Sequence, residues 1–190
     1  LRMKSNESGA GRFTDFLLPP LTFAEFLEFA HRHNPATDRQ RQLIPDDETA
    51  QLNRDFLDYL NFGGFPEAVI DEQVRKNMDR YIANDIIDKV LLRDLPSLYG
   101  VSDTQELNRL FTVLAYNTGN EVSLDELSKS SGVAKNTLKK YLEYLEAAFL
   151  IHRLNRVDQN AKRFRRATHF KVYLTNPSIR AALFGAVGPE

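Results

Sequence analysis

Residues Leu127-Ser-Lys-Ser-Ser-Gly132-Val133-Ala-Lys-Asn-Thr137-Leu138 read as two short helices meeting at a tight turn. Glycine permits the turn, because it adopts backbone conformations closed to other residues. Val133 and Leu138 then lock the two helices together. Just upstream, Ser123-Leu-Asp-Glu126 is a capping box, with a hydroxyl residue three positions before a glutamate. It opens a short helix to about Lys129. Downstream, 134–148 predicts a longer helix with Leu138, Leu142, Leu145 and Phe149 on its buried face.

Working outward, Thr104 to about Tyr116 predicts a preceding helix with Leu107, Leu110, Phe111 and Leu114 apolar. Two strand-like runs follow the three helices, at 150–157 and 168–175. In the second, Phe170, Val172 and Leu174 alternate with His169, Lys171 and Tyr173, the period of a half-buried strand. Three helices followed by a hairpin predict a winged helix-turn-helix, spanning 101–185, with a two-stranded wing.

The earlier part of the chain is also mainly helical. Thr22 and Glu25 form another capping box, ahead of Phe23, Phe26, Leu27 and Ala30. A short strand is expected at 13–18. The polar stretch 31–47 is a connector. A helix is expected at 48–62, closed by Gly63-Gly64, then a turn at Phe65-Pro66-Glu67 into another short helix. A long helix is expected over 71–95 and closed by Pro96 and Gly100, with a last one after Asn176-Pro177. The fold class is thus mainly α: a linker-like stretch at 1–35, a helical region at 36–100, and the winged helix.

The chain has 190 residues, 25 Lys+Arg, 26 Asp+Glu and no cysteine. Zero cysteines exclude disulfides, a thiol nucleophile and Cys-ligated zinc, and they fit a reducing cytoplasm. No apolar run reaches the roughly 18 residues of a membrane span, and no signal peptide opens the chain. The net charge of −1 hides an asymmetry. Residues 129–171 carry eleven Lys/Arg and three acids, net +8, and the remainder is −9. Such a split points to an anionic partner for the basic part.

The basic residues fall in two places. Lys135, Asn136, Thr137, Lys139 and Lys140 occupy the first two turns of the third helix, with Glu143 and Glu146 later. That order opposes the helix dipole, so stability alone does not account for it. It suits the DNA major groove. Lys162, Arg163, Arg165 and Arg166 sit between the two strands, where arginine can clamp phosphates or enter a minor groove. The same charges also suit a solvated helix face and loop in a module that binds protein. Metal binding is not expected: His31 and His33 diverge on a helix, and His152 and His169 meet at most across the hairpin with no acid at ligand spacing. No Ser-His-Asp order and no G-x-x-x-x-G-K-[ST] loop occurs, so no catalytic residues are assigned.

Several short motifs occur in a fixed order: Gly11-Arg12; Leu18-Pro-Pro-Leu-Thr-Phe-Ala-Glu-Phe-Leu27; Tyr59-Leu-Asn-Phe-Gly-Gly-Phe-Pro-Glu67; Leu92-Arg-Asp94; Tyr141-Leu-Glu-Tyr-Leu-Glu146; Lys171-Val-Tyr-Leu174. Together they resemble a large group of prokaryotic AAA+-type ATPases of unknown role. In that group a nucleotide-binding core precedes a helical lid, a winged helix and a nuclease-like domain. The resemblance implies that this chain is an internal fragment: the tail of the core over 1–35, the lid over 36–100, and the winged helix. ATP and Mg are then expected for the intact parent, whose phosphate-binding lysine and acids lie upstream of Gly-Arg. Arg12 stands where related ATPases carry an arginine that reaches the γ-phosphate, or it pairs with a carboxylate such as Asp15. Arg93 is a second nucleotide-sensing candidate. The family's Asp-x-Gly step after the last strand is replaced here by Thr175-Asn-Pro-Ser. The implied partners are double-stranded DNA and the ATPase core or neighbouring subunits, with no membrane. Two other readings remain: an interaction module within the ATPase, and a stand-alone transcription regulator whose first hundred residues form an effector or dimer domain.

Overall fold

Side-chain caps at Thr22, Asp71, Asp103 and Ser123 fix where four of the helices begin. The computed structural model describes residues 19–35, 45–155 and 169–188. In α1 (Phe23–Phe29) the Thr22 hydroxyl accepts from the Glu25 backbone, while the Glu25 carboxylate accepts from the Thr22 N–H at 2.8 Å. α1 ends with His31 in the left-handed region (φ 52°) and Arg32 N–H bonded back to Leu27 at 2.7 Å, the 6→1 closure of a Schellman motif. The expected strand at 13–18 lies outside the described residues, as does Arg12.

The chain forms two units. One comprises, among the described residues, 19–86 together with 176–188. Besides α1 it contains α2 (Asp46–Asp58), α3 (Pro66–Ile70), α4 (Glu72–Lys76) and α5 (Met78–Arg80). α2 begins with Asp46, Asp47 and Glu48 in its first turn, where acids favour the dipole. It widens into π-helical turns over Tyr59–Gly63. The long helix expected over 71–95 is interrupted at Asn77 (φ −119°, ψ 31°) and passes into wide turns over Tyr81–Asp88. Phe26, Leu27, Ala68, Met78 and Ile82 are buried here. The last helix, α10 (Ser178–Phe184), packs in this same unit: the Gly64 N–H donates to Ser178 Oγ at 3.2 Å, and Asn61 exchanges two hydrogen bonds with the backbone of Val187 at 2.8 and 3.0 Å. A Cβ on Gly64 would collide with the Asn176 side chain, so only glycine allows that approach.

The other unit comprises, among the described residues, Ile87–Thr175. Wide turns over Val90–Asp94 lead into α6 (Leu95–Tyr99), where the Leu95 N–H reaches five residues back to Val90. Pro96 lies in this first turn and has no N–H to donate, and the helix continues past it to Gly100, which closes it at φ 66°. Then come α7 (Thr104–Tyr116), β1 (Glu121–Ser123), α8 (Leu124–Ser131), α9 (Lys135–Ala147), β2 (Ile151–Asn155) and β3 (His169–Leu174). The sheet has three antiparallel strands in the order β1-β3-β2, one more than the expected hairpin. The added strand is the three residues that lead into α8 and end on the capping Ser123. Leu107, Leu110, Phe111, Leu114, Leu127, Val133, Leu138, Leu142, Leu145, Phe170 and Val172 are all buried. His152 faces Tyr173 and His169 faces Ser123 across the ladders, so the two histidines are not partners.

Candidate nucleic-acid interface

Two serines and a glycine hold the junction between α8 and α9. Ser128 Oγ donates to the Val133 carbonyl at 2.7 Å, and Ser131 Oγ to the Leu127 carbonyl at 2.6 Å, while the Val133 N–H donates to Ser131 Oγ at 3.3 Å. Gly132 turns the chain at φ 75°. α9 therefore leaves the junction at a fixed angle, with Leu138, Leu142 and Leu145 turned inward. Tyr144 stacks on Tyr99 of α6 at 4.0 Å between centroids, holding the far half of α9.

Of the expected residues on α9, Lys135, Asn136, Lys139 and Lys140 are exposed and Thr137 is half-buried. The structure brings the five onto the first half of one helix. Ala134 caps that helix without a side-chain hydrogen bond, leaving the first backbone N–H groups of α9 without side-chain acceptors. Asn136, Lys139 and Lys140 make no side-chain bond to a described residue. Lys135 differs: its ammonium is ion-paired with Asp125 of α8. Both ends are exposed, so the pair adds little stability. The Lys135 hydrogen bond and charge nonetheless hold the Asp125 carboxyl below its ordinary value. Asp125 was missed as a site residue, because the α8–α9 angle that brings it to Lys135 is a tertiary property. Lys162, Arg163, Arg165 and Arg166 lie outside the described residues. Arg93 is exposed on the turns before α6.

A second charged cluster, unforeseen from the sequence, belongs to the other unit. Arg32 binds Asp55 at 2.9 Å and Asp58 at 2.6 Å, and Arg75 also binds Asp58. Gln51 donates to Asp55 at 3.1 Å. The guanidinium of Arg32 lies over Phe26 and that of Arg75 over Phe62. The two aspartates are three residues apart on α2, the spacing that puts them on one helix face. Carboxylates already neutralise these arginines, so the cluster ties α2 to the segments around it and offers no open anion site. Among the described residues no group of three or more His, Asp or Glu side chains is placed to hold a metal ion. Among them, too, no helix is long and apolar enough to cross a membrane.

Residues 53–190 match the signature of a domain of unknown function, DUF8612. The chain belongs to the DUF8612 family. The match covers everything from the middle of α2 onward, including the interface on α9. Over 184 residues the chain is 28% identical to an uncharacterized protein of Haemophilus influenzae, covering 94% of this chain and 42% of that protein. It is also 28% identical over 149 residues to the uncharacterized protein MJ1544 of Methanocaldococcus jannaschii, covering 75% of this chain and 32% of that one. The DUF8612 chain thus spans less than half the length of both relatives. No solved structure matches it.

Proposed function

We propose that this DUF8612 chain is the lid and winged-helix portion of an AAA+-type ATP-binding protein, and that α9 is a recognition helix contacting double-stranded DNA. The observation that carries the reading is the first half of α9: Asn136, Lys139 and Lys140 are exposed there with no described partner, on a helix without a side-chain cap. Lysines so placed neutralise phosphates, and an exposed asparagine pairs bidentately with adenine. The order α7, α8, α9 with a small antiparallel sheet supports the winged-helix reading. The basic residues at 162–166 would supply a wing. The parent would bind ATP and Mg in the reducing cytoplasm, with Arg93 and Arg12 as nucleotide-sensing candidates.

The test is a fluorescence-anisotropy titration of labelled duplex at about 50 mM salt, repeated at about 200 mM. Binding that weakens steeply with salt, and that is lost in a Lys139→Gln, Lys140→Gln double variant, is the expected result. Binding that is absent, or indifferent to those lysines, rejects DNA contact. A second reading, a protein-interaction module, is favoured by Leu154 and Tyr173, which are exposed at 49% and 38% on the sheet.

A further inference from the structure

Phe29, at the end of α1, and Ile70, at the end of α3, leave 47% and 71% of their surfaces in solvent. They are among the side chains lining an open groove of about 720 Å³, together with Glu25, Glu28, Ala30, His31 and Val69. That volume lies in the range of sites that bury ligand side chains. Its described lining sets Phe29, Ala30, Val69 and Ile70 beside two carboxylates, and no lysine or arginine is among the described residues that line it. Thr22 engages only one oxygen of Glu25, at 2.8 Å. Those donors also hold the Glu25 carboxyl below its ordinary value. Glu28 makes no side-chain bond to a described residue. His31, held in the left-handed region at φ 52°, turns the chain at the groove's edge.

An apolar trough with acids along one side is complementary to one kind of surface: a helix with an apolar stripe flanked by lysine or arginine. Such helices dock through anchors at i, i+3 and i+4. We propose that the groove between α1 and α3 seats a short basic amphipathic helix of another polypeptide, with its apolar side chains against Phe29, Val69 and Ile70 and its cations against Glu25 and Glu28. This is independent of the α9 reading, because it involves the other unit and a partner of opposite charge to the one proposed for α9.

The test uses the full chain, isotope-labelled, titrated with a synthetic Leu/Lys amphipathic helix of about four turns. Two control peptides keep one feature each: a Ser/Lys peptide with the charge but no apolar stripe, and a Leu/Glu peptide with the stripe but the wrong sign. The expected result is amide shifts centred on residues 28–31 and 68–70. Both controls should bind at least about tenfold more weakly, and Ile70→Ser and Glu28→Lys should each cost about tenfold. Both substitutions are at exposed positions, so circular dichroism should show an unchanged fold. Equal binding of the Ser/Lys peptide, indifference to Ile70→Ser, or no binding at about 1 mM peptide overturns the proposal. Concentration-dependent dimerisation of the chain, abolished by Ile70→Ser, also overturns it and assigns the groove to a second copy.

Discussion

Glu146 grips Arg153 at two points: one carboxylate oxygen accepts the Arg153 backbone N–H at 3.2 Å, and the other binds Nη2 at 2.9 Å. The guanidinium also lies over the Phe170 ring, 5.6 Å from its centroid. β2 is an edge strand, and an edge exposes unpaired N–H groups that invite other strands. Glu146 occupies the Arg153 N–H and so blunts that edge from within the fold. Replacing Glu146 by Ala removes two charge-assisted hydrogen bonds. It should cost about 1–3 kcal/mol in urea unfolding and raise self-association in sedimentation at high protein concentration.

Leu142 is fully buried in the unit formed by Ile87–Thr175. Leu142→Ala should cost about 2–5 kcal/mol, read as a lower denaturation midpoint. A loss below about 1 kcal/mol would show that the site collapses around the missing atoms.

Gly132 and Phe149 both occupy left-handed backbone, at φ 75° and 56°. A Cβ on Gly132 would meet nothing within 4 Å, so the cost of Gly132→Ala is conformational alone, about 1–2 kcal/mol. The converse holds at Phe149, a residue 47% exposed. Phe149→Gly relieves the same strain but gives up the contacts of a half-buried side chain, and thermal unfolding should show the two nearly cancelling, within about 1 kcal/mol.

On the proposed reading of α9 as a DNA-contacting helix, Asp125 would compete with phosphate for Lys135. Asp125→Asn should strengthen duplex binding and steepen its salt dependence, by about 0.9 in the log–log slope if Lys135 then meets one phosphate. Lys135→Gln should weaken binding less than Lys139→Gln. Protonation acts in the same direction as Asp125→Asn. The Asp125 carboxyl is lowered by Lys135, so the pair persists above the ordinary carboxylate value and is lost only as pH falls through the lowered one. Anisotropy titrations across acidic pH check the sign.

Calorimetry with ATP should register no tight binding and no hydrolysis for this chain. Its sequence has no G-x-x-x-x-G-K-[ST] loop to cradle phosphates. Micromolar affinity would sink the fragment reading.

Local signals were legible and tertiary ones were not. α7 occupies Thr104–Tyr116, the residues its apolar spacing marks, because Asp103 caps it and nothing downstream competes. The Thr22 and Ser123 boxes are local as well. β1 escaped notice because three residues carry no period; it exists only through pairing with β3. The interruption at Asn77 escaped because Val74, Met78 and Ile82 keep helical spacing across it. The lysines of α9 could be placed from helical spacing alone. Their difference in freedom, with Lys135 tied and Lys139 open, depends on a neighbour ten residues earlier.

The bonds from Gly64 to Ser178 and from Asn61 to Val187 join segments 114 and 126 residues apart. During synthesis, the residues 87–175 between them emerge as one contiguous stretch and can complete their own unit first. The flanking unit must wait, its surfaces around Asn61 and α5 not yet covered by α10, until residues 176–187 have left the ribosome. Such distant closures are slow, and exposed apolar surface in that interval invites aggregation. A chain released after Thr175 would therefore carry one folded half and one half dependent on chaperones.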